Sequence, residues 1–108
     1  MIYNTTIAEL DEKYEEDIKK IDADEIKSIG DIRSQYISSI QPLLIEYNTM
    51  VVEGKNTSSI RSQIEQQLTS MRNSIATEQQ KAKDARQKAN DDLNKNKKEE
   101  EKKYKVKL

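Results

Sequence analysis

Written in rows of eleven, residues 3–57 bring like residues into three columns. The first holds Tyr3, Tyr14, Glu25, Tyr36 and Tyr47, and the fifth holds Ile7, Ile18, Ile29, Ile40 and Val51. The eighth holds Leu10, Ile21, Ile32 and Leu43 before Gly54 ends it, and Glu25 is the one departure ahead of that point. Eleven residues over three turns is about 3.67 per turn, so the apolar stripe stays on one side of a helix with little or right-handed supercoiling. The spacing continues more weakly through Ile60, Met71, Ala82, Leu93 and Tyr104, with Ile64 followed by Ile75. Over 71–89 it also fits heptads, through Ile75, Ala82 and Ala89. The class this implies is all-α, built of long coiled-coil helices.

Composition removes the competing classes. With 33% apolar and 36% charged residues in a 108-residue chain, there is too little apolar material for a thick globular core. Low hydrophobicity alone would admit disorder, but a net charge of −1 and strictly spaced apolar residues oppose it. Cysteine and histidine are both absent, which removes disulfides, thiol nucleophiles and imidazole bases. The residues Met1-Ile2-Tyr3-Asn4-Thr5 lack the form of a cleavable signal, and the longest aliphatic run is Leu43-Leu44-Ile45. No membrane span is expected, and the expected location is cytoplasmic or within a virion. The near-neutral charge and a pI of about 5.6 make nucleic acid an unfavoured partner.

Helix boundaries follow from local chemistry. Thr6-Ile7-Ala8-Glu9 has capping-box form, which places the first helix at 5–52. Gly30 and Pro42 interrupt it; a kink at 38–42 is expected, with a short break as the alternative. Glu53-Gly54-Lys55-Asn56-Thr57-Ser58 reads as a turn over 53–58, with Gly54 as a left-handed C-terminal cap and Asn56, Thr57 or Ser58 as the next N-cap. The second helix then spans 58–103, leaving a charged tail at 104–108. Glu99–Lys103 and Glu101–Lys105 pairs could extend that helix, and fraying is the alternative.

Two arms of nearly equal length around one short turn suit an antiparallel two-helix coiled-coil hairpin, a single unit over 1–108. Charge favours it: residues 1–31 hold ten acids and four bases, and residues 81–108 hold eleven bases and six acids. Size favours it too. Folding about 54–55 sets position i opposite about 109 − i, so Ala82, Ala85 and Ala89 meet the region of Ile18, Ile21 and Ile26. Leu93 then meets Tyr14, and Tyr104 lies near Tyr3 and Ile7.

The arms are not equally apolar. Between 26 and 52 the first carries thirteen large apolar residues, while 57–83 of the second offers seven, two of them alanines. Surplus apolar surface in water marks an interaction site. The expected partner-binding residues are Ile37, Leu44, Ile45, Tyr47 and Val52, facing a protein partner, by self-association or in a larger assembly. The alternative is local burial around Pro42.

Chemical sites are not expected, and neither is a cofactor or metal. Counting a calcium loop from Asp22 puts Lys27 and Arg33 where Gly and Glu are needed, so the acidic runs read as solvated helix faces. Asn4-Thr5-Thr6 and Asn56-Thr57-Ser58 match a glycosylation acceptor but read as cap and turn residues. The lysine-rich end over 94–108 offers a contact for acidic groups, which the acidic arm already supplies. A non-enzymatic structural or adaptor protein is expected. Small size, and Ile, Lys and Asn in the proportions of an AT-rich genome, point towards a bacteriophage virion or assembly component. Through Ala82, Ala85 and Ala89 the chain also resembles the peripheral stalk subunits of rotary ATPases, over 76–93. That resemblance implies a right-handed parallel coiled coil with a second subunit, and the Tyr-rich first half departs from it. A helical chaperone or secretion partner binding a client helix is the third expectation.

Overall fold

The computed structural model describes the backbone of residues 2–107 and the side chains of 4–105. The protein is all-α, a helical hairpin of α1 (Ile2–Val52) and α2 (Ser58–Lys107). The chain divides into two compact units: Ile26–Gln79 contains the turn, and Met1–Glu25 with Gln80–Leu108 pairs the distal parts of the helices.

The turn is built as the residue types demand. Gly54 adopts φ +70°, the left-handed conformation that costs an L-residue with a Cβ about 1–2 kcal/mol. Its amide donates to the Val51 carbonyl at 3.1 Å and the Lys55 amide to the Met50 carbonyl at 2.9 Å. Those two bonds are the Schellman pattern, and they satisfy carbonyls that the end of α1 would otherwise leave bare. On the other side, the Asn56 carboxamide oxygen accepts from the Ser58 amide at 2.9 Å. The Thr57 carbonyl takes the first helical bond, from the Arg61 amide at 2.9 Å. Thr57 therefore sits at the N-cap and Asn56 one residue ahead of it.

Two boundary expectations need correction, the start of α1 and the end of α2, and the alternative of a break at Pro42 falls as well. α1 starts at Ile2, so Thr6 lies inside the helix and Thr6–Glu9 is not its cap. Thr6 and Ile7 are half-buried, and threonine is tolerated within a helix where such cover exists. At Pro42 the helix does not break. Proline removes one amide donor and crowds the carbonyl of Ser38. One turn earlier, the Ser38 and Ser39 hydroxyls donate to the Ser34 and Gln35 carbonyls, at 3.0 and 3.3 Å. α2 continues to Lys107 rather than 103, so 104–107 is helix and not a separate tail; Leu108 lies outside the described residues. Its last turns carry Lys103–Glu100 and Lys105–Glu101 pairs at 3.4 and 2.8 Å. The Lys105 hydrogen bond holds the Glu101 carboxyl below the usual carboxylate range. Its small stabilisation is thus present above the ordinary glutamate pKa and disappears as pH falls through the depressed value.

In the distal unit the helices are joined by charge. The Arg86 guanidinium donates from Nε and Nη2 to Asp22 Oδ1 at 3.0 and 2.8 Å, and from Nη2 to Glu25 Oε1 at 2.7 Å. Hydrogen bonds to Glu25 first and Asp22 second raise the guanidinium pKa, so the charge stays fixed. Lys97 reaches Asp11 at 2.6 Å. Glu25 is the break in the tyrosine column, and it is only 19% exposed because Arg86 takes it up. Leu10, Tyr14, Ala89 and Leu93 close around a crevice of about 40 Å³, large opposite small. In the turn-proximal unit Tyr36 Oη and Ser74 Oγ lie 3.4 Å apart. Position numbers in the pairs 11/97 and 22/86 add to 108, and in 36/74 to 110. Tyr104 is 43% exposed, and the side chain of Tyr3, expected beside it, lies outside the described residues.

Two glycines make opposite predictions. Nothing lies within 4 Å of a Cβ at helical Gly30, whereas Gly54 needs its positive φ. Gly30→Ala should raise unfolding free energy by roughly 0.5–1 kcal/mol, and Gly54→Ala should lower it by about 1–2 kcal/mol, in urea titrations.

Candidate docking face

Two helices share one seam, and little fits inside it. Among the described residues only Ile40, Ile60 and Ala82 are buried, at 7%, 3% and 7% exposure. Flanking them, Ile29, Ile32, Tyr36, Leu43, Tyr47 and Met50 of α1 and Ile64, Leu68, Met71 and Ile75 of α2 are half-covered.

What the seam leaves out is concentrated on α1. Ile37, Leu44, Ile45 and Val52 are 50%, 44%, 68% and 87% exposed. Tyr47 differs from these four: it is half-buried and turned to the seam, where it lines a groove with Leu44. Ile26 (73%) and Val51 (52%) are exposed as well. Ile26 was expected against the alanines of α2, but Glu25 and Ile29 point inward on either side of it and Ile26 lies off the stripe. Val51 completes the isoleucine column in spacing but not in cover, because α1 ends beside it and α2 begins there with exposed Ser58 and Ser59. A signal for both existed in the helical net: Ile26, Ile37, Leu44 and Val51 are spaced by eleven, seven and seven residues, close to whole turns. They form one line along the flank of the seam.

Beside Leu44 and Tyr47 the groove of about 520 Å³ is closed on the α2 side by Ile64, Arg61 and Glu65. Neither Arg61 nor Glu65 forms an ion pair among the described residues. The face is apolar and shallow, and it contains no concave, water-excluding constellation of titratable groups. Among the described residues no group of three or more carboxylates comes together as a metal site. No helix among them is long and apolar enough to cross a membrane.

No protein-family model, curated protein or solved structure matches this chain.

Stability and surface function should separate by mutation. Ile60→Ala should cost about 2–4 kcal/mol in urea unfolding, since it opens a cavity in the seam. Val52→Ser should stay within about 0.5 kcal/mol of the parent, since that side chain is already in water.

Proposed function

We propose that this protein is a non-enzymatic structural or adaptor element that mediates protein–protein assembly through the turn-proximal half of α1. One observation carries the reading: of the exposed large aliphatic side chains described on α1, all except Ile26 lie between Ile37 and Val52, on one side of the helix. Desolvating such a strip is worth about 25 cal/mol per Å², and chains that keep it in water risk aggregation. Charge supports the same conclusion. Between Arg33 and Glu53 the one charged residue is Glu46, half a turn away from Ile37 on the helix. Interface cores are depleted of charge in this way.

A small helical hairpin of this kind, rich in Ile, Lys and Asn, suits a bacteriophage virion or assembly component, acting inside the cell or within the particle. The reversal at Gly54 weighs against the stalk-type alternative, which calls for a single extended helix. A client-binding chaperone would use the same strip and groove, and it predicts adducts with one foreign helix rather than a standing assembly.

A photoreactive side chain placed at Ile45, with Ala23 on the outer surface of the distal unit as control, tests the reading. Defined protein adducts are expected at 45 and not at 23. Excess unlabelled parent chain should suppress them, and excess Ile45→Asp chain should not. Equal, unsuppressed labelling at both positions would remove the basis for a docking face.

A further inference from the structure

Where the docking face above holds, we infer that its occupant is a second copy of this chain, packed antiparallel, α1 on α1, about a two-fold axis between Leu44 and Ile45. The inference rests on the reading of α1 as an interface and adds the identity and orientation of what covers it.

The first ground is where apolar surplus exists. On α1 the exposed large apolar residues are Ile26, Ile37, Leu44, Ile45, Val51 and Val52; on α2 the one such residue is Tyr104, far along the distal unit. No described part of α2 can therefore match the α1 strip. The surface of this protein that is equal to it in length and character is the strip itself, which is the condition for an isologous contact.

The second ground is the spacing. At about 100° per residue, Ile37, Gln41, Leu44, Ile45, Asn48 and Val52 fall within roughly 100° of helix surface. All six are exposed. An antiparallel two-fold about the Leu44–Ile45 bond brings position i opposite 89 − i. Ile37 then meets Val52 of the second copy, Leu44 meets Ile45, and Gln41 meets Asn48. Each apolar residue of these six faces an apolar one, and the two carboxamides face each other, where each can donate and accept. A polar pair inside an apolar seam penalises slipped registers, because a shift would bury the amides against aliphatic groups.

Charge at the edge of the strip separates the orientations. Arg61 and Glu65 border the groove beside Leu44 and have no ion-pair partner among the described residues of their own chain. In a parallel pair the two-fold runs along the helices and carries the two grooves to opposite flanks, so neither residue gains a partner. In the antiparallel pair both grooves lie on one flank, and along the axis Arg61 of one chain comes within about a turn of Glu65 of the other, twice over, where opposite charges attract.

The absence of cysteine from the sequence makes a clean test possible. Gln41→Cys and Asn48→Cys chains, made separately, are mixed and oxidised under mild conditions. The expected product is the mixed 41–48 disulfide, exceeding either homodisulfide by ~tenfold, since the thiols at position 41 of the two copies would stand about 10 Å apart along the axis, outside disulfide reach. Adding Ile45→Asp to both chains should abolish it while circular dichroism stays helical. Predominant 41–41 and 48–48 disulfides would overturn the antiparallel arrangement. No disulfide at all, together with photo-adducts at Ile45 to another protein alone, would overturn the second copy and leave the docking face standing. Absence of both would remove the face as well.

Discussion

Two helices in contact have a seam but no interior, and this constraint governs the protein. A hairpin can cover one stripe on each helix, and any apolar residue more than about a quarter turn from that stripe stays in water. Hence just three residues among those described are buried. α2 is matched to this situation: small alanines, many charges, and one line of Ile, Leu and Met. Its partner is not, because α1 carries a second apolar line beside the first.

The turn decides which residues share the seam. Gly54 lets α1 end in two capping hydrogen bonds, and Asn56 and Thr57 open α2 within three residues. So short a reversal leaves little freedom of register. Within the distal unit, Arg86 lies between Asp22 and Glu25, and Lys97 sits on Asp11. These bridges are partly exposed, and such pairs contribute modestly to stability. Their larger effect is on orientation, since a parallel arrangement of the arms would take the acidic start of α1 away from the strongly basic end of α2.

Much of this was legible in the sequence because it rests on spacing and on glycine. The eleven-residue columns, their end at Gly54 and the opposed charge of the termini lead to helices, a turn and an antiparallel pair. Exposure at Ile37, Leu44, Ile45 and Val52 followed from counting thirteen apolar residues against seven. Less legible were features set by small energy differences or by three-dimensional cover. Thr6–Glu9 has the composition of a cap, yet the helix runs past it because threonine costs only tenths of a kcal/mol inside a covered turn. At Pro42, where a kink is expected and a break is the alternative, the helix has no break, because one lost hydrogen bond in a 51-residue helix does not outweigh the turns on either side. Tyr47 belonged to the apolar count, but it also stands in the eleven-residue tyrosine column, and the structure turns it to the seam as that column implies. Ile26 needed the helical net rather than the count.

The central claim is that the surplus of α1 is covered by a second copy of the chain and is not surface left over from folding. Sedimentation equilibrium of the parent chain and of its Ile45→Asp variant, across micromolar to millimolar concentration, tests this most directly. The account predicts that the parent mass rises from 12.5 kDa towards twice that value, while the variant stays at 12.5 kDa and remains folded. The same mass for both chains at every concentration would contradict it.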